Sequence, residues 1–138
     1  MNPARLWIGL GAVLGALAVA LGAFAAHALQ ATGDARAVTL VETAAHYQST
    51  HALALVGCGL LALVAGRGSP AARWASRAAA LFLLGVVLFC GALYGIALAG
   101  WPLGVVAPFG GTSFIVGWCL LAVAGAKSAS GDTVPEKR

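Results

Sequence analysis

The chain has 138 residues, 61% of them hydrophobic and 9% charged, with a formal net charge of +4. Eight Lys or Arg and four Asp or Glu are too few to cover the outside of a soluble domain this long, in which roughly 25% of residues are charged. The composition excludes a water-soluble fold. The basic residues also stand singly among apolar segments, with no interleaved aromatic stripe, so no nucleic-acid partner is expected.

The first charge-free stretch, Leu6 to Ala26, is 21 residues long, close to the roughly 20 that a helix needs to cross the hydrocarbon of a bilayer. It predicts span one over residues 6–28. A cleaved signal peptide competes with this reading, because Ala23-Phe24-Ala25 imitates a cleavage site. The apolar run is longer than the roughly 7–15 residues of a signal core, however, and only Arg5 precedes it.

Span two is predicted over residues 39–65. Thr39 and Glu42 fit a capping box at its start, which gives Glu42 a structural role at the positive end of the helix dipole. Arg67-Gly68-Ser69-Pro70 then reads as a loop in which Ser69 caps and Pro70 opens span three, residues 70–98, with Arg73, Trp74 and Arg77 at the membrane surface.

From Ala78 to Ala126 there are 49 residues without a charge. One helix of that length would be about 73 Å long, more than twice the hydrocarbon thickness. The chain therefore has to turn back. Gly100-Trp101-Pro102-Leu103-Gly104 and Pro108-Phe109-Gly110-Gly111 mark the break, and span four follows over residues 108–126. The fold class is thus an all-α membrane protein, a single four-transmembrane-helix bundle over residues 1–126. A polar tail at 127–138 is expected to be disordered.

Four spans place Arg5, Arg67, Arg73, Arg77, Lys127, Lys137 and Arg138 on one side and only Arg36 on the other. The positive-inside rule then puts both termini in the cytoplasm, and the expected location is the bacterial cytoplasmic (inner) membrane. Gly11 and Gly15, Ala18 and Gly22, and Gly91, Gly95 and Ala99 form rows of small residues at four-residue spacing. Such rows let helices approach closely in lipid, either inside one bundle or between copies. Cys58, Cys90 and Cys119 lie in apolar runs without metal or redox spacing and read as core thiols.

Polar residues gather at the start of span two. His46 and His51 are five positions apart, about 140° around a helix, and do not share a face for one metal. Glu42 with His46, and Tyr47 with His51, do share faces. His51 stands roughly 12 Å into the apolar part of span two. An ionisable group at that depth is either a functional residue or a neutral imidazole bridging to a neighbouring helix. His27 on span one, Tyr94 on span three, and Thr112 and Ser113 on span four fall in the same, extracytoplasmic leaflet. The candidate site is a shallow polar cluster of His27, Glu42, His46, Tyr47, Gln48 and His51, lidded by a loop containing Pro108, Gly110 and Gly111.

Four segments resemble the YgdD-like family of small membrane proteins, a family of unknown function. Gly22-Ala23-Phe24-Ala25-Ala26-His27 is similar to GAFGAH, and Tyr47-Gln48-Ser49-Thr50-His51-Ala52-Leu53-Ala54-Leu55 to YQxxHALAL. Leu88-Phe89-Cys90-Gly91-Ala92-Leu93-Tyr94 follows LFSGSLY, and Pro108-Phe109-Gly110-Gly111 with Gly117-Trp118 follows PxGG and GW. The resemblance covers about residues 6–126 and implies four helices and membrane residence, with no assigned reaction. Ala25 stands for a glycine, Cys90 and Ala92 for serines, and Ala107 where a threonine often precedes the proline. His46 is outside the pattern, which singles out His27, Tyr47, Gln48 and His51.

No nucleophile–base pair and no metal triad is legible, so neither catalysis nor a cofactor or metal is expected. The expected function is that of a non-enzymatic membrane component or accessory subunit. Its partners would be the lipid bilayer and either further copies of the chain or a larger membrane complex. Two other functions compete. One is binding of a lipophilic ligand such as a quinone, a haem or a lipid by His27 or His51 beside Tyr47 and Trp101. The other is transport of a proton or small solute, which the lack of charged residues in the inner half opposes.

Overall fold

A computed structural model of the protein describes residues 3–129. The disorder expected of the tail concerns positions that lie, from 130 onward, outside the described residues. Helix α1 (Pro3–Phe24) continues through a π turn (Ala25–Leu29) and a 3-10 turn (Gln30–Thr32). Helix α2 spans Ala35–Val64, and α3 (Pro70–Gly85) passes through a second π turn (Val86–Cys90) into α4 (Gly91–Ala99). Helix α5 spans Ala107–Ala129. These elements make four helices long and apolar enough to cross a membrane, three of 30 residues and one of 22. At about 1.5 Å per residue the longer ones measure about 45 Å, enough to reach from one headgroup layer of a bilayer to the other. Helices suit this setting because hydrocarbon offers backbone N–H and C=O groups no partner, and a helix satisfies them internally.

Local chemistry sets the helix ends. Gly33, at φ 78°, ends the 3-10 turn, and Asp34 caps α2 by accepting the Ala37 N–H at 2.9 Å. The Thr39–Glu42 capping box is therefore corrected. Helix α2 starts four residues earlier, and the Thr39 hydroxyl, in its second turn, donates back to the Ala35 carbonyl at 2.9 Å. Ser69 and Pro70 act as expected, with the Ser69 hydroxyl accepting the Ala72 N–H at 3.1 Å. Gly100, at φ 65°, ends α4.

The lid is corrected as well. Pro108, Gly110 and Gly111 belong to the opening turns of α5. Proline in a first turn sacrifices no hydrogen bond, so the Pro-Gly-Gly segment continues as helix and the reversal is confined to residues 100–106.

Helix α1 packs chiefly on α2, and α5 chiefly on α3, which leaves α2 and α3 at the centre. Leu55, Cys58, Phe82, Val86, Cys90 and Phe114 form the buried core between α2, α3 and α5. Glycines set the close approaches. A Cβ on Gly11 would lie 2.7 Å from the Ala52 carbonyl, and one on Gly59 2.7 Å from the Ala4 carbonyl. Between α3 and α5, Phe82 fills the space above Gly117, Phe114 that above Gly85, and the Phe89 backbone that beside Gly110. Three aromatic residues thus sit on three glycines in one antiparallel register. The row of Gly91, Gly95 and Ala99 does not form such a seam. Gly91 faces open space, Ala99 is exposed, and Gly95 admits the Trp101 ring as the chain turns back.

Gly110→Ala should therefore force α5 away from the Phe89 backbone and lower stability by about 1–3 kcal/mol. Gly91→Ala, with no neighbour in reach, should be neutral or slightly stabilising. Denaturant unfolding in mild detergent measures both, and equal stabilities of the two variants would contradict the packing described.

Candidate functional site

The first half of α2 presents three faces. Glu42, His46 and Tyr47 are exposed, and Gln48 and His51, one helical turn apart, are the two buried polar residues of the described chain. Burial of uncharged polar groups in an apolar bundle requires hydrogen bonds, and each side chain has them.

Gln48 reaches in two directions. Its Nε2 donates to the Leu14 carbonyl of α1 at 2.8 Å, and its Oε1 accepts the Tyr94 hydroxyl of α4 at 3.0 Å. One amide therefore joins three helices. The approach to Leu14 depends on the small residues beside it, because Gly11 and Ala18 are buried and bring the α1 backbone within reach of a glutamine side chain.

His51 is held by both ring nitrogens. Its Nδ1 lies 2.7 Å from the Tyr47 carbonyl, and its Nε2 lies 3.3 Å from the Trp118 Nε1 of α5. A carbonyl only accepts and an indole N–H only donates. The ring is accordingly neutral, with its proton on Nδ1 and its lone pair on Nε2 turned to Trp118. The Phe114 ring stacks on it at 3.5 Å between centroids and 10° between planes. Phe82 lies 5.5 Å away, and Tyr47 stacks at 6.1 Å and 12°. His51 is an aromatic-boxed bridge between α2 and α5.

The structure does not bring the rest of the expected cluster to this point. His27 is exposed on the π turn that follows α1, and among the described residues its side chain has no hydrogen bond, ion pair or ring contact. Glu42 is exposed, and the exposed His46 ring meets Tyr47 edge-on at 6.2 Å. The Thr112 and Ser113 hydroxyls donate within α5, to the Pro108 and Phe109 carbonyls at 2.9 and 3.0 Å. Among the described residues no group of three or more His, Cys, Asp or Glu is arranged to hold a metal. Cys58 and Cys90 are buried, whereas Cys119 is exposed, so the third is not a core thiol. A hollow of about 420 Å³ at the far end of the bundle is lined by Asp34, Arg36, Trp101 and Pro102, and by neither His27 nor His51.

Sequence reasoning missed Trp118 and Phe114 as the partners of His51, and the pairing of Tyr94 with Gln48. A signal for Trp118 existed: a donor-only side chain deep in a span needs an acceptor, and His51 is one of few available. Truncation of one partner of the Gln48–Tyr94 bond should be felt through the other. A double-mutant cycle of Gln48→Leu and Tyr94→Phe, read by unfolding in mild detergent, should give a coupling of about 0.6 kcal/mol and at most about 1.7. A coupling of zero would mean that the bond contributes nothing to stability.

Comparison with known proteins gives the same outline. Residues 21–111 match the family model described as "Protein of unknown function (DUF423)". The chain is 38% identical over 125 residues to a UPF0382 membrane protein of Haemophilus influenzae, covering 90% of this chain and 96% of that one. It is 37% identical over 126 residues to a UPF0382 membrane protein of Staphylococcus epidermidis, covering 91% and 98%. It is also 37% identical over 120 residues to the UPF0382 inner membrane protein YgdD of Escherichia coli, covering 86% and 88%. No solved structure matches significantly. With four helices long and apolar enough to cross a membrane, a matching family model and relatives aligned over nearly their whole length, the chain belongs to the DUF423 family of membrane proteins, whose function is unknown.

Proposed function

We propose that this chain is a non-enzymatic component of a larger membrane assembly, seated in the bacterial inner membrane with both termini in the cytoplasm. The observation that carries this reading is the use made of its two buried polar residues. Gln48 and His51 are engaged by Leu14, Tyr94, Tyr47 and Trp118 of the same chain, and three of these four hydrogen bonds fasten α2 to another helix. A quinone or haem held through His51 would first have to break the Trp118 contact and displace the stacked Phe114 ring.

The outer faces support the assembly part. Only 17% of the apolar window of the first span and 22% of that of the fourth are buried within the chain, against 44% for the second. Wide apolar faces are left for lipid and for neighbouring membrane proteins. The orientation rests on the basic residues: Arg5, Arg67, Arg73, Arg77 and Lys127 lie at the end that holds the start of α1 and the end of α5, and Arg36 lies at the other. The relative in Escherichia coli named an inner membrane protein supports the choice of membrane.

Native mass spectrometry of the full chain, extracted in a mild detergent, should show it with a second copy or with a co-purifying membrane protein. A strictly monodisperse monomer would overturn the assembly reading. In a Cys119→Ala background, an impermeant maleimide added to spheroplasts should label Gly104→Cys at once and Arg67→Cys only after lysis. The reverse order would invert the orientation.

A further inference from the structure

The end of the bundle opposite Asp34 carries a basic hollow for which Gln48 and His51 have no use. It measures about 340 Å³ and lies where the start of α1, the end of α2 and the first two turns of α3 meet. Its floor is alanine: Ala4, Ala62 and Ala72 are buried beneath it. Arg67, Arg73 and Arg77 line its walls, together with the half-buried Ser76.

The arginines are positioned. Arg73 and Arg77, one turn apart on α3, share a face. Arg73 Nη1 donates to the Gly68 carbonyl at 2.9 Å, and the Arg77 guanidinium lies 4.8 Å over the Trp74 ring. Each guanidinium has further N–H groups left over. Among the described residues the acidic side chains are Asp34 and Glu42, at the start of the 30-residue α2, so no described carboxylate lies within reach of these arginines. Three like charges around one hollow repel one another unless an anion lies between them. The start of α3, whose dipole is positive, adds to the same field.

We propose that this hollow binds a phosphate group through Arg67, Arg73 and Arg77, with the Ser76 hydroxyl as a further contact. Guanidinium groups match phosphate oxygens in paired hydrogen bonds. Trp74 and Arg77, in the opening turns of a membrane span, put the hollow at headgroup depth. The phosphate of an anionic phospholipid is therefore the expected source, and soluble phosphate the other source with the same chemistry.

Purified full-length chain in mild detergent would be titrated with phosphatidylglycerol, with phosphatidylcholine and with inorganic phosphate. Native mass spectrometry reads the lipids retained, and isothermal calorimetry reads the phosphate. Phosphatidylglycerol should be retained in preference to phosphatidylcholine. Each of Arg67→Gln, Arg73→Gln and Arg77→Gln should weaken that retention about fivefold, and the triple variant about a hundredfold. Arg36→Gln, at the other end, should change nothing. Arg73→Lys should recover part of the affinity, which separates loss of charge from loss of fold. Arginine-dependent binding of inorganic phosphate without any preference between the lipids would support the phosphate site and assign it to a soluble ligand. Equal retention of both lipids by wild type and triple variant, with no phosphate binding, would overturn the proposal.

Discussion

A polar group inside a bilayer has no water to fall back on, and this constraint governs the middle of the protein. Gln48 answers it by taking an acceptor from α1 and a donor from α4 at once. His51 answers it by spending one nitrogen on its own helix and the other on α5. Span two is thereby tied to each of the other three. Between lipid-facing helices the hydrophobic effect offers little discrimination, because a lipid tail is as apolar as leucine. Dispersion and these few hydrogen bonds decide which faces meet.

The hydrogen bonds in turn depend on the glycines. A glutamine reaches a main-chain carbonyl on another helix only if the helices are close, and α1 and α2 are close where Gly11 and Gly59 leave no side chain between them. On the other flank, Phe114 reaches the face of His51 because Gly85 leaves it room against α3. The same seam that seats Phe82 over Gly117 brings Trp118, 5.1 Å from Phe82, to the histidine. Packing and polar satisfaction are two readings of one geometry.

Much of this was legible in the residues. The charge-free runs and the Ser69-Pro70 start fix the spans, because hydrocarbon thickness leaves little freedom in how a 49-residue apolar stretch can be laid out. Where the reading failed, a local signal had two meanings. Thr39 and Glu42 match a capping box, but the less conspicuous Gly33-Asp34 begins the helix. Pro108-Gly110-Gly111 is a turn signal in water. Here the proline opens a helix and Gly110 is a packing surface for Phe89. Depth along the spans gathered His27, Glu42 and His51 into one leaflet, but depth says nothing about azimuth. His27 and Glu42 turn outward while His51 turns in. Which residue meets His51 depended on how α5 rotates against α3, a matter settled by aromatic–glycine contacts between residues far apart in sequence.

His51 is a neutral bridge, its proton on Nδ1 and its Nε2 lone pair given to Trp118. Nitrogen NMR of selectively 15N-histidine-labelled protein in bilayers tests it most directly, with a His51→Gln sample to assign the resonances. The expected spectrum has one protonated nitrogen, Nδ1, one unprotonated acceptor, Nε2, and a shift of the Nε2 signal on Trp118→Phe. A proton on Nε2, or an Nε2 signal indifferent to the loss of Trp118, would contradict it.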